Sequence, residues 1–192
     1  MAKLIFSDID GTLINTDLKV TPKTRDAIRR QIIKGNVFVP VSARMPKAIM
    51  TAAGQITNGC PMIAYNGALV LDEMGKPLNS QFMTAKTAAE ICQYAEDKNS
   101  GSAWNVYSGY NWYCSKNKSS LVEDEEKIVA VKAIPVSIDQ IKKLKGVHKV
   151  LLMGKPKVLD QMKADLTPKY PNLYLVKSAP HLLKIMVQGV SK

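Results

Sequence analysis

The chain has 192 residues, of which 46% are hydrophobic and 22% charged, the balance of a globular protein with one ordinary domain or a compact core carrying a modest insertion. No apolar run approaches the roughly 18 residues that a membrane-spanning helix needs, so no membrane partner is expected. The net charge of +11, from 27 basic and 16 acidic residues, is compatible with a nucleic-acid partner or an anionic substrate but reads first as solvated lysines spread over helix faces; the lysines are scattered, and the densest run (Lys142, Lys143, Lys145) has no interleaved aromatics, so no nucleic-acid partner is expected.

Three cysteines, Cys60, Cys92 and Cys114, are odd in number and lack metal-ligand spacing, which reads as free thiols in a reducing cytoplasm. The N-terminal stretch carries one lysine and runs straight into Asp8, which makes a poor secretion signal.

Residues 3–7 read as a short apolar strand. Thr21 and Pro22 then read as a helix cap and a first helical position. Ala27, Ile28, Ile32 and Ile33 give that helix an apolar face, and Gly35 stops it. Residues 36–41, NVFVPV, form a second strand that is apolar on both faces, as in a parallel sheet covered by helices. Residues 46–56 read as a helix and residues 61–65, PMIAY, as a third strand. This alternation, with right-handed crossovers, predicts an α/β fold with a doubly wound, Rossmann-like parallel-sheet core.

The pattern changes after Asn66 and Gly67. Residues 67–78 read as a hairpin turning at Gly75, residues 84–98 as an amphipathic helix, and residues 103–114 as an aromatic hairpin about Ser108 and Gly109. Residues 127–134, KIVAVKAI, and residues 147–153 read as strands, with a helix over 156–166 and two strands in LYLVKS and LLKIMV. This half reads as an antiparallel α+β module. There is no internal repeat or low-complexity tract.

The chemistry concentrates at DIDGT, residues 8–12. Asp8 and Asp10 stand where the first strand ends, and open α/β sheets bind ligands beyond the carboxyl ends of their strands. A carboxylate there can attack a phosphoryl group and form an aspartyl-phosphate. A second, two residues on, can protonate the leaving oxygen and then activate water. A hard cation such as Mg²⁺ offsets the repulsion between the two. Gly11 permits a close turn, and Thr12 adds a hydroxyl. By chance the pattern occurs on the order of once in a thousand chains of this length.

DIDGTL resembles the first motif of the haloacid dehalogenase-like phosphohydrolases. VSARM, with Ser42, is similar to the second motif, and Arg44 is typical of the Cof-type branch. AYNGALV, with Asn66, resembles a segment beside the active site in that branch. GVSK, ending in Lys192, resembles the third motif. The resemblance implies Asp8 as nucleophile and Asp10 as general acid/base, with Mg²⁺ on the Asp8 carboxylate and the Asp10 carbonyl. It implies that Ser42 and Lys192 hold phosphate oxygens and that Thr12, Arg44 and Asn66 line the site. It also implies a core over 1–81, an inserted α/β cap over 82–180, and a return to the core at 181–192.

The family's fourth motif, a GDxxND stretch carrying further metal-ligating aspartates, is absent from residues 1–192. The chain is therefore expected to be a fragment with an incomplete core, impaired activity and a tendency to self-associate. Lys184 stands where many relatives carry glutamate. The expected function is a Mg²⁺-dependent, cytoplasmic phosphatase of small phosphorylated metabolites, such as sugar phosphates or phosphorylated cofactors. A phosphomutase of the same superfamily and a non-catalytic phosphate-ligand module are the alternatives. The aromatics Trp104, Tyr107, Tyr110 and Trp112 are expected in the core of the cap more than in a pocket.

Overall fold

The computed structural model describes residues 1–190, which fall into two compact units, Met1–Ser80 and Gln81–Val190. The first unit contains β1 (Leu4–Asp8), α1 (Pro22–Ile33), β2 (Val37–Val41), α2 (Pro46–Ala53), β3 (Met62–Ala64), β4 (Leu69–Leu71) and β5 (Pro77–Ser80). Its sheet has the order β1-β2-β3-β4-β5. β1, β2 and β3 are parallel, and the β4–β5 hairpin continues the sheet antiparallel. Helices joining consecutive parallel strands carry the chain back to the starting end, so all three strands deliver their carboxyl ends to one edge.

Local chemistry sets the helix starts. Thr21 accepts the Thr24 N–H at 3.2 Å, and Pro22, which has no N–H to leave unpaired, occupies the first position of α1. α2 ends at Ala53, earlier than the expected residue 56. Beyond it, Gln55 and Ile56 donate to carbonyls three residues back, so the helix tightens into turns. α2 buries Ala48, Ile49, Ala52 and Ala53. β1 is the outer strand of this sheet among the described residues, and its Leu4 and Phe6, two apart and on one face, are exposed.

The second unit contains α3 (Ala85–Asp97), β6 (Ala103–Ser108), β7 (Asn111–Ser115), α4 (Ser120–Val129), β8 (Ile134–Val136), α5 (Ile138–Ile141), β9 (Lys149–Met153), α6 (Pro156–Leu166), β10 (Leu173–Ala179) and β11 (Leu182–Val187). The sheet order is β10-β11-β9-β6-β7-β8, antiparallel except between β7 and β8. Val106, Val150, Leu152, Leu183 and Ile185 from the strands join Ile91 and Cys92 of α3 and Leu159, Met162 and Leu166 of α6 in one apolar cluster. Full burial of each large side chain contributes about 1.5–3 kcal/mol, so this cluster carries the unit's stability.

The return expected at residue 181 is displaced. β11 pairs with both β9 and β10, so Leu182–Val187 belong to the second unit's sheet. Its antiparallel hydrogen bonds and the burial of Leu183 and Ile185 keep it there. The strand expected over 127–134 is also corrected. α4 runs through Val129, Ala130 ends it in a left-handed conformation at φ 54°, and only Ile134 reaches a strand. The deciding residue is buried Glu126. Its carboxylate accepts from Lys118 Nζ at 2.6 Å, Lys132 Nζ at 3.0 Å and the Ala133 N–H at 2.8 Å. That set of bonds ties the end of the helix to the loop and overrides the β-branched run. Of the four aromatics, Trp104, Tyr107 and Trp112 are buried and Tyr110 is half-buried.

Two groups make this unit acid-sensitive. His148 accepts the Gly109 N–H at Nδ1, 3.1 Å, and burial pushes its pKa down to about 4. The unfolded chain takes up this proton near pH 6.5, so stability falls as the pH drops from there to about 4. Burial alone would raise the Glu126 carboxyl, but the bonds from Lys118, Ala133 and Lys132 outweigh it and hold the group at about 2. Its contribution is lost as the pH falls from about 4.5 to 2. Denaturant melts between pH 7 and pH 2 are expected to show both windows. His148→Asn keeps an acceptor beside Gly109 and removes the titration. It should flatten the upper window, and an unchanged slope between pH 6.5 and 4 would contradict the assignment.

Candidate functional site

Asp8 is the last residue of β1, paired in register with Val41 at the end of β2. Its Oδ1 accepts the Ile9 N–H at 2.8 Å. Ile9 is fully buried, and its carbonyl accepts the N–H groups of Thr12, Leu13 and Ile14 at 3.3, 3.0 and 3.1 Å. The chain therefore winds tightly as it leaves the strand and holds Asp10 two residues beyond Asp8. Gly11 takes φ 73°, where a side chain is strained. Nothing lies within 4 Å of where its Cβ would stand, so the requirement is conformational rather than one of space.

Arg44 grips Asp10 with both arms of its guanidinium. Nη2 lies 2.6 Å from Oδ1 and Nε 3.2 Å from Oδ2. The Asp10 side chain is 53% exposed and the Arg44 side chain 16%. Solvent-exposed ion pairs contribute about 0–1 kcal/mol, so this pair matters chiefly for orientation, which the two-pronged geometry fixes.

Ser42 is fully buried directly after β2. Its N–H donates to the Ile63 carbonyl at 2.9 Å, and its Oγ accepts the Arg44 N–H at 3.1 Å. Its carbonyl accepts the Asn66 N–H at 3.0 Å, and the Arg44 carbonyl accepts the Tyr65 N–H at 3.1 Å. The loops after β2 and β3 are thus bonded to each other through the backbone.

The turn after β3 stores strain. Tyr65, Asn66 and Gly67 are consecutive at φ 52°, 56° and 102°. A left-handed residue with a side chain costs roughly 1–2 kcal/mol, asparagine less than most, and such strain persists only where surrounding contacts over-determine it. Here the contacts are the two bonds from Ser42 and Arg44 and the complete burial of Tyr65, which also raises the phenol's pKa well above its ordinary value.

Asp8 accordingly stands at the carboxyl end of β1, and Asp10, Thr12, Ser42, Arg44 and Asn66 stand beyond the carboxyl ends of β1, β2 and β3. Thr12 is exposed in the first turn, and Asn66 meets Ser42 through its backbone. Lys192 lies outside the described residues. An open depression of about 460 Å³ is lined by Asp10, Gly11, Ile14, Asn15, Thr16 and Leu18. Two features were not anticipated from the sequence. One is the Arg44–Asp10 pair, since spacing along a chain does not reveal which loops meet. The other is Tyr65 as the anchor of the strained turn, for which YNG, a turn signal preceded by an aromatic, was the available clue.

The donors suit a hard cation. Both side chains are carboxylates, and Mg²⁺ keeps several waters while taking one or two protein oxygens. Among the described residues no group of three or more His, Cys, Asp or Glu could hold a metal.

The family model for haloacid dehalogenase-like hydrolases matches residues 5–192. A Haemophilus influenzae protein named "Putative phosphatase" is 26% identical over 198 residues, covering 100% of this chain and 72% of its own. The crystal structure of TM0651 from Thermotoga maritima superposes with a TM-score of 0.87 at 25% identity, over 100% of this chain and 72% of that one. A structure described as the subclass IIB sugar phosphatase BT4131 shares the fold, with a TM-score of 0.74 at 18% identity over 99% of this chain and 72% of that one. With the carboxylate turn, the Ser42 loop and the α/β architecture, these matches establish that the chain belongs to the haloacid dehalogenase-like hydrolases and is, by that resemblance, a phosphoric monoester hydrolase.

Proposed function

We propose that this chain is a Mg²⁺-dependent phosphatase of small phosphorylated metabolites that works through an aspartyl-phosphate on Asp8. The observation that carries the reading is the placement of two carboxylates in one tight turn, one set by a backbone N–H and the other by a two-pronged arginine. Asp8 would attack the phosphorus while the ester oxygen leaves with a proton from Asp10. Water would then attack the phosphorus, Asp10 taking its proton, and phosphate departs as Asp8 is regenerated. Mg²⁺, held by the Asp8 carboxylate and the Asp10 carbonyl, would neutralise phosphoryl charge.

Arg44 is a positioning residue in this reading, because it acts through Asp10. Ser42, whose Oγ accepts the Arg44 N–H, would turn its hydroxyl hydrogen toward a phosphate oxygen. Lys192, matched to the third motif, would supply a second phosphate contact. Thr12 and Asn66 would line the site. The depression at Asp10 falls within the size range of small-molecule pockets, about 300–1,000 Å³.

Residues 81–190 would serve as the cap that selects substrate and excludes water. BT4131's description as a sugar phosphatase supports sugar phosphates within the substrate class. The buried thiols of Cys60, Cys92 and Cys114, each with its pKa raised first by burial, support a reducing, cytoplasmic setting. The exposed Leu4 and Phe6 on an edge strand support self-association, which solution mass against concentration would measure.

Phosphate release from p-nitrophenyl phosphate with and without Mg²⁺ tests the reading. Asp8→Asn should abolish release, since an amide is a poor nucleophile. Normal turnover by that variant would remove Asp8 from its role. With a poor leaving group, Asp10→Asn should cost about 10²–10⁴-fold in kcat. A loss below tenfold would count against acid–base work at that residue. Arg44→Lys keeps the charge but not the fork, so kcat should fall about tenfold with KM little changed. If KM rises and kcat is untouched, Arg44 binds substrate and does not position Asp10.

A further inference from the structure

The depression that holds Asp10 is walled by the loop that leaves β1, through Gly11, Ile14, Asn15, Thr16 and Leu18. That loop is tied down at both ends. Asp10 and Ile14 form an isolated bridge near its start. Asn15 closes its tip. The Asn15 Oδ1 accepts the Asp17 N–H at 3.1 Å and the Lys19 N–H at 2.9 Å. The Asn15 N–H donates to the Lys19 carbonyl at 3.0 Å, and the Asn15 carbonyl accepts the Leu18 N–H at 3.0 Å. Leu13, Ile14 and Val20 are buried, and the Val20 N–H donates to Gln55 Oε1 at 2.9 Å.

Leu18 is the exception on this well-bonded loop. Its backbone takes φ 58°, a left-handed conformation that glycine and asparagine adopt far more readily than leucine. Its side chain remains exposed, at 44%. A turn that needed only to close would carry glycine or asparagine here. A surface that needed only water would carry a polar residue. Strain of this kind collects at sites that bind ligands, and an apolar contact to a ligand accounts for both features.

The chemistry identifies the part of the ligand. A general acid must lie within hydrogen-bond reach, about 2.6–3.2 Å, of the oxygen it protonates. With Asp10 in that role, the alcohol that leaves enters the depression Asp10 lines. The other large side chains there are the aliphatic Ile14 and Leu18. The one polar amide oxygen, Asn15 Oδ1, already accepts two backbone N–H groups.

We infer that Leu18 is a specificity-determining residue that packs against the leaving alcohol. The depression then favours phosphate esters whose alcohol presents an aromatic or alkyl face next to the ester oxygen over polyhydroxy esters. The inference rests on the proposed reading that the chain is a phosphatase with Asp10 as its general acid, and it narrows the substrate class.

The test compares kcat/KM for benzyl phosphate and glucose 6-phosphate with Mg²⁺ present. Both are esters of primary alcohols, so their demands on the acid are similar. Leu18→Asn tolerates the left-handed backbone and removes the apolar contact. It should lower the ratio of benzyl to glucose ester at least about fivefold, since small changes in apolar pocket contacts carry effects on the order of tenfold or more. Leu18→Met should keep the ratio within about twofold. If Leu18→Asn changes both esters alike, or neither, Leu18 does not meet the leaving alcohol.

If Leu18→Asn fails to fold, the Leu18 methyl resonances decide instead, in the full chain bearing Asp8→Asn so that ester is not consumed. Benzyl phosphate should shift them through its ring current, and inorganic phosphate should not. No difference between the two ligands overturns the inference. Hydrolysis of both esters with a ratio indifferent to Leu18 removes the contact and leaves the phosphatase. Methyl shifts specific to benzyl phosphate, with no hydrolysis of either ester by the chain with Asp8 intact, remove the phosphatase and leave the contact.

Discussion

Parallel pairing sets Asp8 opposite Val41 and Val41 opposite Ile63, and the rest of the candidate site depends on that register. Because the strands run the same way, the loops that follow them leave from one edge and come within hydrogen-bonding distance. Ser42 then bonds to Ile63 and Asn66, Arg44 to Tyr65, and the Arg44 guanidinium to Asp10. A slip of one residue in β1 would turn Asp8 to the opposite face and dissolve the arrangement. The left-handed conformations at Tyr65 and Asn66 are held by the same bonds, so strain in one loop is offset by contacts to another.

The second unit solves a different problem, that of placing polar groups inside a sheet. Trp112 donates its indole N–H to Asn105 Oδ1 at 2.8 Å, and Asn105 in turn donates to the Leu151 carbonyl at 3.3 Å. Glu126 is buried with three donors around its carboxylate. Buried polar groups persist when every partner is supplied, and here they are supplied by neighbouring strands and by the loop after α4. The polar side of this sheet is therefore an ordered surface of aromatic, amide and ammonium groups, while the opposite side is an ordinary apolar core.

Charge is used differently in the two units. In the first, the Asp8 carboxylate accepts a backbone N–H and the Asp10 carboxylate is paired with Arg44. In the second, Lys149 and Lys184 add like charge at a partly dry position. The overall +11 describes neither arrangement, because net charge is a sum over scattered surface lysines.

Much of this was legible in the residues alone. Apolar runs of five or six ending in Asp8 or Ser42, a threonine cap before Pro22 and the turn signals at Gly75 and Gly109 act over a few neighbours, so strand, helix and hairpin positions follow from the chain itself. The DIDGT cluster was legible for the same reason, since its two carboxylates and its glycine are adjacent. Three matters needed the tertiary structure. Residues 127–129 became helix because Glu126 found Lys118, Lys132 and Ala133 as partners, none of which its local sequence specifies. Leu182–Val187 joined the second unit because two strands offered it hydrogen bonds and burial. The meeting of Arg44 with Asp10, and of Lys149 with Lys184, came from pairing between segments about 35 residues apart, where loop geometry and register decide contact and residue type does not.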